Sequence, residues 1–219
     1  MRSLPNRVGG IEMFFEIHCD YPYPSRWKSF FYTFLGGRWL FGKKDYLRNA
    51  KIIATMINQS VHSNKAYWFF TYKTLPDEEM LRILREIPSR HEVCLHVVKD
   101  QKSELHKLVN SLNKYVVFPY LIRYYSLHGV ERFSAHLIWK KFRETKIEPN
   151  LLTLFKERCF ILDKFCYSND EDAAFEEAKA SVRCGKVIRI HPEWLFQRGT
   201  WNHRSRYYEV LSRLLEAEQ

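Results

Sequence analysis

The strongest constraint on the fold is an alternation along the chain: short β-branched or apolar runs take turns with stretches spaced as amphipathic helices. Met13 to Cys19 is apolar and β-prone, and Pro22 and Pro24 stop it from continuing. Asp45 to Gln59 places Leu47, Ala50, Ile53, Ala54 and Ile57 at helical spacing, and Ala66 to Tyr72 follows as a strand. Pro76-Asp77-Glu78-Glu79 opens a helix with acids in its first turn, where the dipole favours them, and Pro88 ends it. Glu92 to Val98 predicts a strand, Ser103 to Leu112 a helix, and Leu121 to Leu127 a strand closed by His128-Gly129. Helices are expected from Ser134 to Arg143 and from Leu151 to Lys156, then a strand over Cys159 to Asp163. An acid-started helix, Asp170 to Val182, has Gly185 beyond its end; Val187 to Ile190 is a strand and Arg204 to Ala217 a last helix. Such β-then-α repetition implies a parallel sheet with outer helices. The expectation is an α/β fold, a distorted and incomplete (β/α) barrel of six or seven parallel strands. It occupies residues 13–219 as a single domain behind a flexible tail, 1–12.

With 219 residues the chain can bury a full core without disulfide staples. Five cysteines, an odd number with no C-x-x-C pair, read as small buried hydrophobes in a reducing, cytoplasmic setting. No apolar run spans a bilayer, and no secretory signal pattern stands at the start. The formal net charge of +10 predicts an anionic partner. The basic residues are dispersed, with no block of like charges, so no specific nucleic acid is expected. No G-x-G-x-x-G follows the first strand, and no phosphate-binding Walker loop exists. Residues 26–44 mix Trp27, Phe30, Phe31, Trp39 and Phe41 with Lys28, Arg38, Lys43 and Lys44, and Gly36-Gly37 interrupts them. They form a lid or an ordered loop, with peripheral membrane contact as a third reading.

Chemistry-bearing residues gather at strand ends. Glu16, His18 and Asp20 share one face of the first strand, where three polar groups point to a wet cavity rather than a core. His96 lies near the end of Arg90-His91-Glu92-Val93-Cys94-Leu95-His96-Val97-Val98-Lys99-Asp100, and His191 follows Arg189-Ile190. In barrel-like α/β proteins, metal and acid–base sites are assembled from such strand ends.

His91-Glu92-Val93-Cys94-Leu95-His96 resembles the H-E-[IV]-G-x-H signature of the polysaccharide deacetylase (NodB-homology) superfamily. Ile190-His191-Pro192-Glu193-Trp194 is similar to its final His-Pro motif, and His18-Cys19-Asp20 stands where the family places an aspartate pair. The resemblance spans roughly residues 13–195. It implies a divalent metal (zinc, manganese or iron) held by Asp20 and His96, with His191 as catalytic acid. Two positions depart from the family: Asp100 stands where its second metal histidine falls, and His18 where its base aspartate falls. Asp100 keeps a ligand at the same spacing and makes the site harder. His18 either replaces the base, since imidazole titrates near neutrality, or binds metal itself.

Other candidates carry paired readings. Arg123 holds an anionic substrate group or pairs with a carboxylate such as Glu16. His128 lines the pocket or serves the turn before Gly129, and Trp194 forms a substrate floor or covers the core edge. Asp163 orients His191 or caps a turn. The basic, aromatic stretch 197–206 clamps a phosphate or acidic sugar, or is a solvated loop. The leading function is a metal-dependent hydrolase that removes an acyl group from an N-acylated, anionic sugar or glycan precursor. The alternatives are a deacetylase-like binding protein without hydrolysis, or a basic nucleic-acid-binding protein.

Overall fold

The computed structural model describes residues 12–19, 42–71, 75–98, 124–128, 148–149, 159–162, 170–192, 195 and 206–216. The elements in chain order are β1 (Met13–Cys19), α1 (Gly42–Gln59), β2 (Asn64–Phe70), α2 (Glu78–Glu86), β3 (His91–Val98), β4 (Tyr124–His128), β5 (Glu148–Pro149), β6 (Cys159–Ile161), α3 (Glu171–Arg183), β7 (Val187–Ile190) and α4 (Arg206–Glu216). The seven strands form one sheet in the order β5-β4-β3-β2-β1-β7-β6, and every pairing is parallel. Mixed α/β architecture with a parallel sheet and flanking helices is therefore as expected. Among the described residues, β5 and β6 stand at the two edges and do not pair with each other.

Alternation along the strands separates two chemistries. Met13, Phe15, Ile17 and Cys19 of β1 are fully buried in one apolar cluster with Ala66, Trp68 and Phe70 of β2, Val93 of β3, and Ile188 and Ile190 of β7. The same cluster takes in Ala50, Ile53 and Ile57 of α1, Met80 and Leu84 of α2, Ala174 and Ala178 of α3, and Tyr207, Val210 and Leu211 of α4. All four described helices thus lie on this face. Full burial of each large apolar side chain contributes about 1.5–3 kcal/mol, so this cluster dominates the stability of the fold. The opposite face, by the period of two, carries Glu16, His18, Tyr67, Phe69, Glu92, Cys94, His96 and Arg189.

Helix ends follow the expected chemistry. Asp77 caps α2 by accepting from the Met80 amide at 2.9 Å, and Asp170 caps α3 by accepting from Ala173 at 2.9 Å. Two hydrogen bonds close α3: Gly185 N–H to Val182 O at 2.8 Å, and Lys186 N–H to Ser181 O at 3.0 Å. This is a Schellman cap, and it requires the left-handed φ of +70° that Gly185 adopts.

Some expectations need correction. β2 runs over Asn64–Phe70, two residues earlier than Ala66 to Tyr72, because it pairs residue for residue with Met13–Cys19. Cys19 and Cys94 are buried, but Cys184 is exposed, since it sits at the C-cap of α3 where the chain turns out to solvent. The strand Glu148–Pro149 was not anticipated; its proline is tolerated at the sheet edge. The predicted helices at 103–112, 134–143 and 151–156, residues 1–11 of the tail and the 26–44 lid lie outside the described residues, apart from the first turn of α1 within 42–44. No described helix is long and apolar enough to cross a membrane.

Candidate functional site

β1 is central, and its register sets the site. Glu16 lies beside Tyr67 of β2 on one side and Arg189 of β7 on the other, while Ile17 lies beside Ile190. The tripeptides Glu16-Ile17-His18 and Arg189-Ile190-His191 are thus aligned on neighbouring strands. Their isoleucines enter the apolar core and their outer residues take the polar face. His18 is brought beside Phe69, with ring centroids 5.2 Å apart.

Three imidazoles meet here from remote parts of the chain. The ring centroid of His18 lies 4.7 Å from that of His96 of β3 and 5.2 Å from that of His191, just past β7. His96 is fully buried and His18 nearly so, while His191 is the most exposed of the three. His96 stands in register with Ser126 of β4, and its Nδ1 is hydrogen-bonded to the Ser126 hydroxyl. That contact fixes the ring and leaves Nε2 as the nitrogen that can serve as a ligand.

One layer below, charge is paired. Arg189 Nε donates to Glu16 Oε2 at 2.8 Å, and Arg189 Nη2 lies 2.8 Å from the same oxygen. The other oxygen, Oε1, is 3.4 Å from His18 Nε2. Lys65 Nζ lies 3.4 Å from Glu92 Oε2 and faces the Tyr67 ring. Burial works against the Lys65 charge, but Tyr67 and Glu92 outweigh it and hold the ammonium above its usual pKa. Burial, reinforced by the carboxylates of Glu92 and Glu16, pushes the Cys94 thiol well above its ordinary range. Burial of this kind disfavours the thiolate, the form that acts as nucleophile or metal ligand.

From the outer layer, Asn49 of α1 donates its side-chain amide to the carbonyl of Pro192 at 3.0 Å, pinning the turn that follows His191. His91, at the start of β3, belongs to a separate structural network: it accepts from Trp68 Nε1 and contacts Asn58 Oδ1.

Of the residues singled out by sequence, His18, His96 and His191 come together. Asp20, Asp100, Arg123, Asp163 and Trp194 lie outside the described residues. His128 closes β4 in register with Val98. The carboxylate of Glu16, considered as a partner for Arg123, is held by Arg189, and Arg123 itself lies outside the described residues. Sequence reasoning missed Arg189, Ser126 and Asn49. For Arg189 a signal existed: opposite charges stand two residues before a histidine in two strands that can neighbour each other.

Three imidazoles are suitable donors for a borderline divalent cation. Among the described residues no three His, Cys, Asp or Glu side chains are grouped to hold one. No protein family matches the chain, and no curated protein or solved structure matches it either. The functional reading therefore rests on the geometry of this face.

Proposed function

We propose that this chain is a metal-dependent hydrolase of the polysaccharide deacetylase type, removing an acyl group from an N-acylated, anionic sugar or glycan. The observation that carries the reading is the meeting of His18, His96 and His191, from β1, β3 and the end of β7, with ring centroids 4.7 and 5.2 Å apart. A closing barrel accounts for the polar face. The strand order runs continuously with the chain from β6 through β7 and β1 to β5, and the described helices share one side. Curling such a sheet would bury its polar face without a second helical layer, which is how parallel strands are covered on both sides.

Asp20, His96 through Nε2, and Asp100 would hold a zinc, manganese or iron ion. Such an ion supplies Lewis acidity to an acyl carbonyl and lowers the pKa of water. The chain's own groups handle the protons. His18 takes one from the attacking water, and His191, more exposed and beside it, gives one to the leaving amine. Ser126 holds the His96 ring, and Asn49 holds the turn after His191. The positive net charge favours a negatively charged substrate.

The test is acetate release from N-acetylglucosamine oligomers and from an anionic N-acetyl sugar, measured alongside the metal content of the purified protein. Hydrolysis is expected, with both bound metal and turnover lost in His96→Ala. A protein that neither takes up metal nor hydrolyses any of these compounds would refute the reading. Steeply salt-dependent RNA or DNA binding without turnover would replace it with the nucleic-acid alternative.

A further inference from the structure

The geometry points to Phe69 as the residue that sets how long an acyl group the histidine site accepts: its ring closes the inner end of the site. The inference deepens the hydrolase reading and rests on it.

Phe69 differs from its neighbours in β2. Trp68 and Phe70 enter the apolar cluster with Met13, Phe15 and Ile17, whereas Phe69 is 0% exposed without belonging to it. The period of two turns Phe69 to the polar face, where it lies in register with His18 of β1 and Cys94 of β3. Its ring centroid is 5.2 Å from that of His18 and 6.4 Å from that of His96, so an apolar ring is set against both imidazoles. Exposure orders these groups from the mouth inward: His191 is partly exposed, His18 nearly buried, and His96 and Phe69 fully buried. One layer further in, the register places Tyr67 between Glu16 and Glu92. Glu16 is paired with Arg189, so an alkyl chain that passed Phe69 would meet buried charge.

An N-acyl sugar has one orientation open to it in such a site. The two substituents on its carbonyl carbon point apart. The amine carries the glycan, whose hydroxyls keep it on the solvent side, so the acyl tail faces inward and ends on the Phe69 ring. One methylene more or less against an apolar wall changes selectivity by roughly 10–200-fold.

The test compares N-acetyl and N-butyryl glucosamine oligomers, by hydrolysis and by binding read from the histidine ring signals in NMR. Wild type is expected to favour the acetyl compound, and Phe69→Ala to raise the butyryl-to-acetyl ratio of kcat/KM by roughly 10–200-fold. Should Phe69→Ala fail to fold, Phe69→Leu keeps more of the packing and is expected to raise the same ratio for N-propionyl oligomers. Folded variants with the wild-type ratio, or wild type that takes both acyl groups equally, overturn the proposal while the hydrolase reading stands. Acetyl-selective binding without turnover refutes the hydrolase reading and leaves the role of Phe69 intact. Wild-type protein that neither binds nor hydrolyses either compound overturns both.

Discussion

Trp68 Nε1 donates to His91 Nδ1 at 3.0 Å, and His91 Nε2 lies 2.7 Å from Asn58 Oδ1, joining β2, β3 and α1 in one buried network. An indole N–H can only donate, so His91 Nδ1 must accept and the ring must be the neutral Nε2–H tautomer. Burial, with the neighbouring Arg90 charge adding to it, lowers the His91 pKa to about 4. The unfolded chain therefore binds more protons than the fold between pH about 6.5 and about 4. Stability is full above that window, falls as pH drops through it, and levels off below. The loss should reach about 3 kcal/mol. Urea unfolding of wild type and His91→Gln across this range checks it: the variant should show a flatter slope.

Removing one member of the Glu16–Arg189 pair strands a buried charge. Arg189→Met alone should cost about 3–5 kcal/mol, and Glu16→Gln/Arg189→Met considerably less. Equilibrium unfolding of both variants, with wild type and Glu16→Gln completing the double-mutant cycle, measures the difference. Equal losses would show that the guanidinium contributes packing rather than charge compensation.

Asn49→Leu removes one of two donors to the buried Pro192 carbonyl, leaving the Leu195 amide at 3.2 Å, at a cost of about 0.5–1.5 kcal/mol. Because this bond holds the turn after His191, hydrolysis should fall by more than the loss of folded protein accounts for. Comparing specific activity per folded molecule with the thermal midpoint separates the two effects.

Gly185→Ala tests the α3 cap. A Cβ at this position meets nothing within 4 Å, so the cost comes from the backbone conformation alone. It should be about 1–2 kcal/mol, read from denaturant unfolding, and Gly185→Asn should cost less.

Much of the described scaffold was legible in the sequence because local signals agreed with tertiary ones. β1 and β7 have the expected limits, Gly185 stands beyond α3 as expected, and Asp77 and Asp170, read as residues of the first turn, mark the helix starts but cap them from one residue outside. β2 was misplaced because Asn64 and Lys65 lack strand propensity; pairing with Met13 and Phe14 draws them into the ladder. Glu148–Pro149 carries too little local pattern to be seen at all. Within the site, strand-end position singled out His18, His96 and His191. Ser126 and Arg189 escaped notice because their roles depend on which strand lies beside which. Once β1 is set next to β7, the matched offsets of Glu16 and Arg189 become readable.

The adjacency of β1 and β7 also dictates when the histidine cluster can exist. Glu16 and Arg189 are 173 residues apart in sequence, so their contact closes one of the longest loops in the molecule. A nascent chain on the ribosome can lay β1 against β2 early, but Arg189 reaches Glu16 only once β7 has emerged. Assembly of the cluster thus waits for β7, and a chain lacking that strand could not bring His191 against His18.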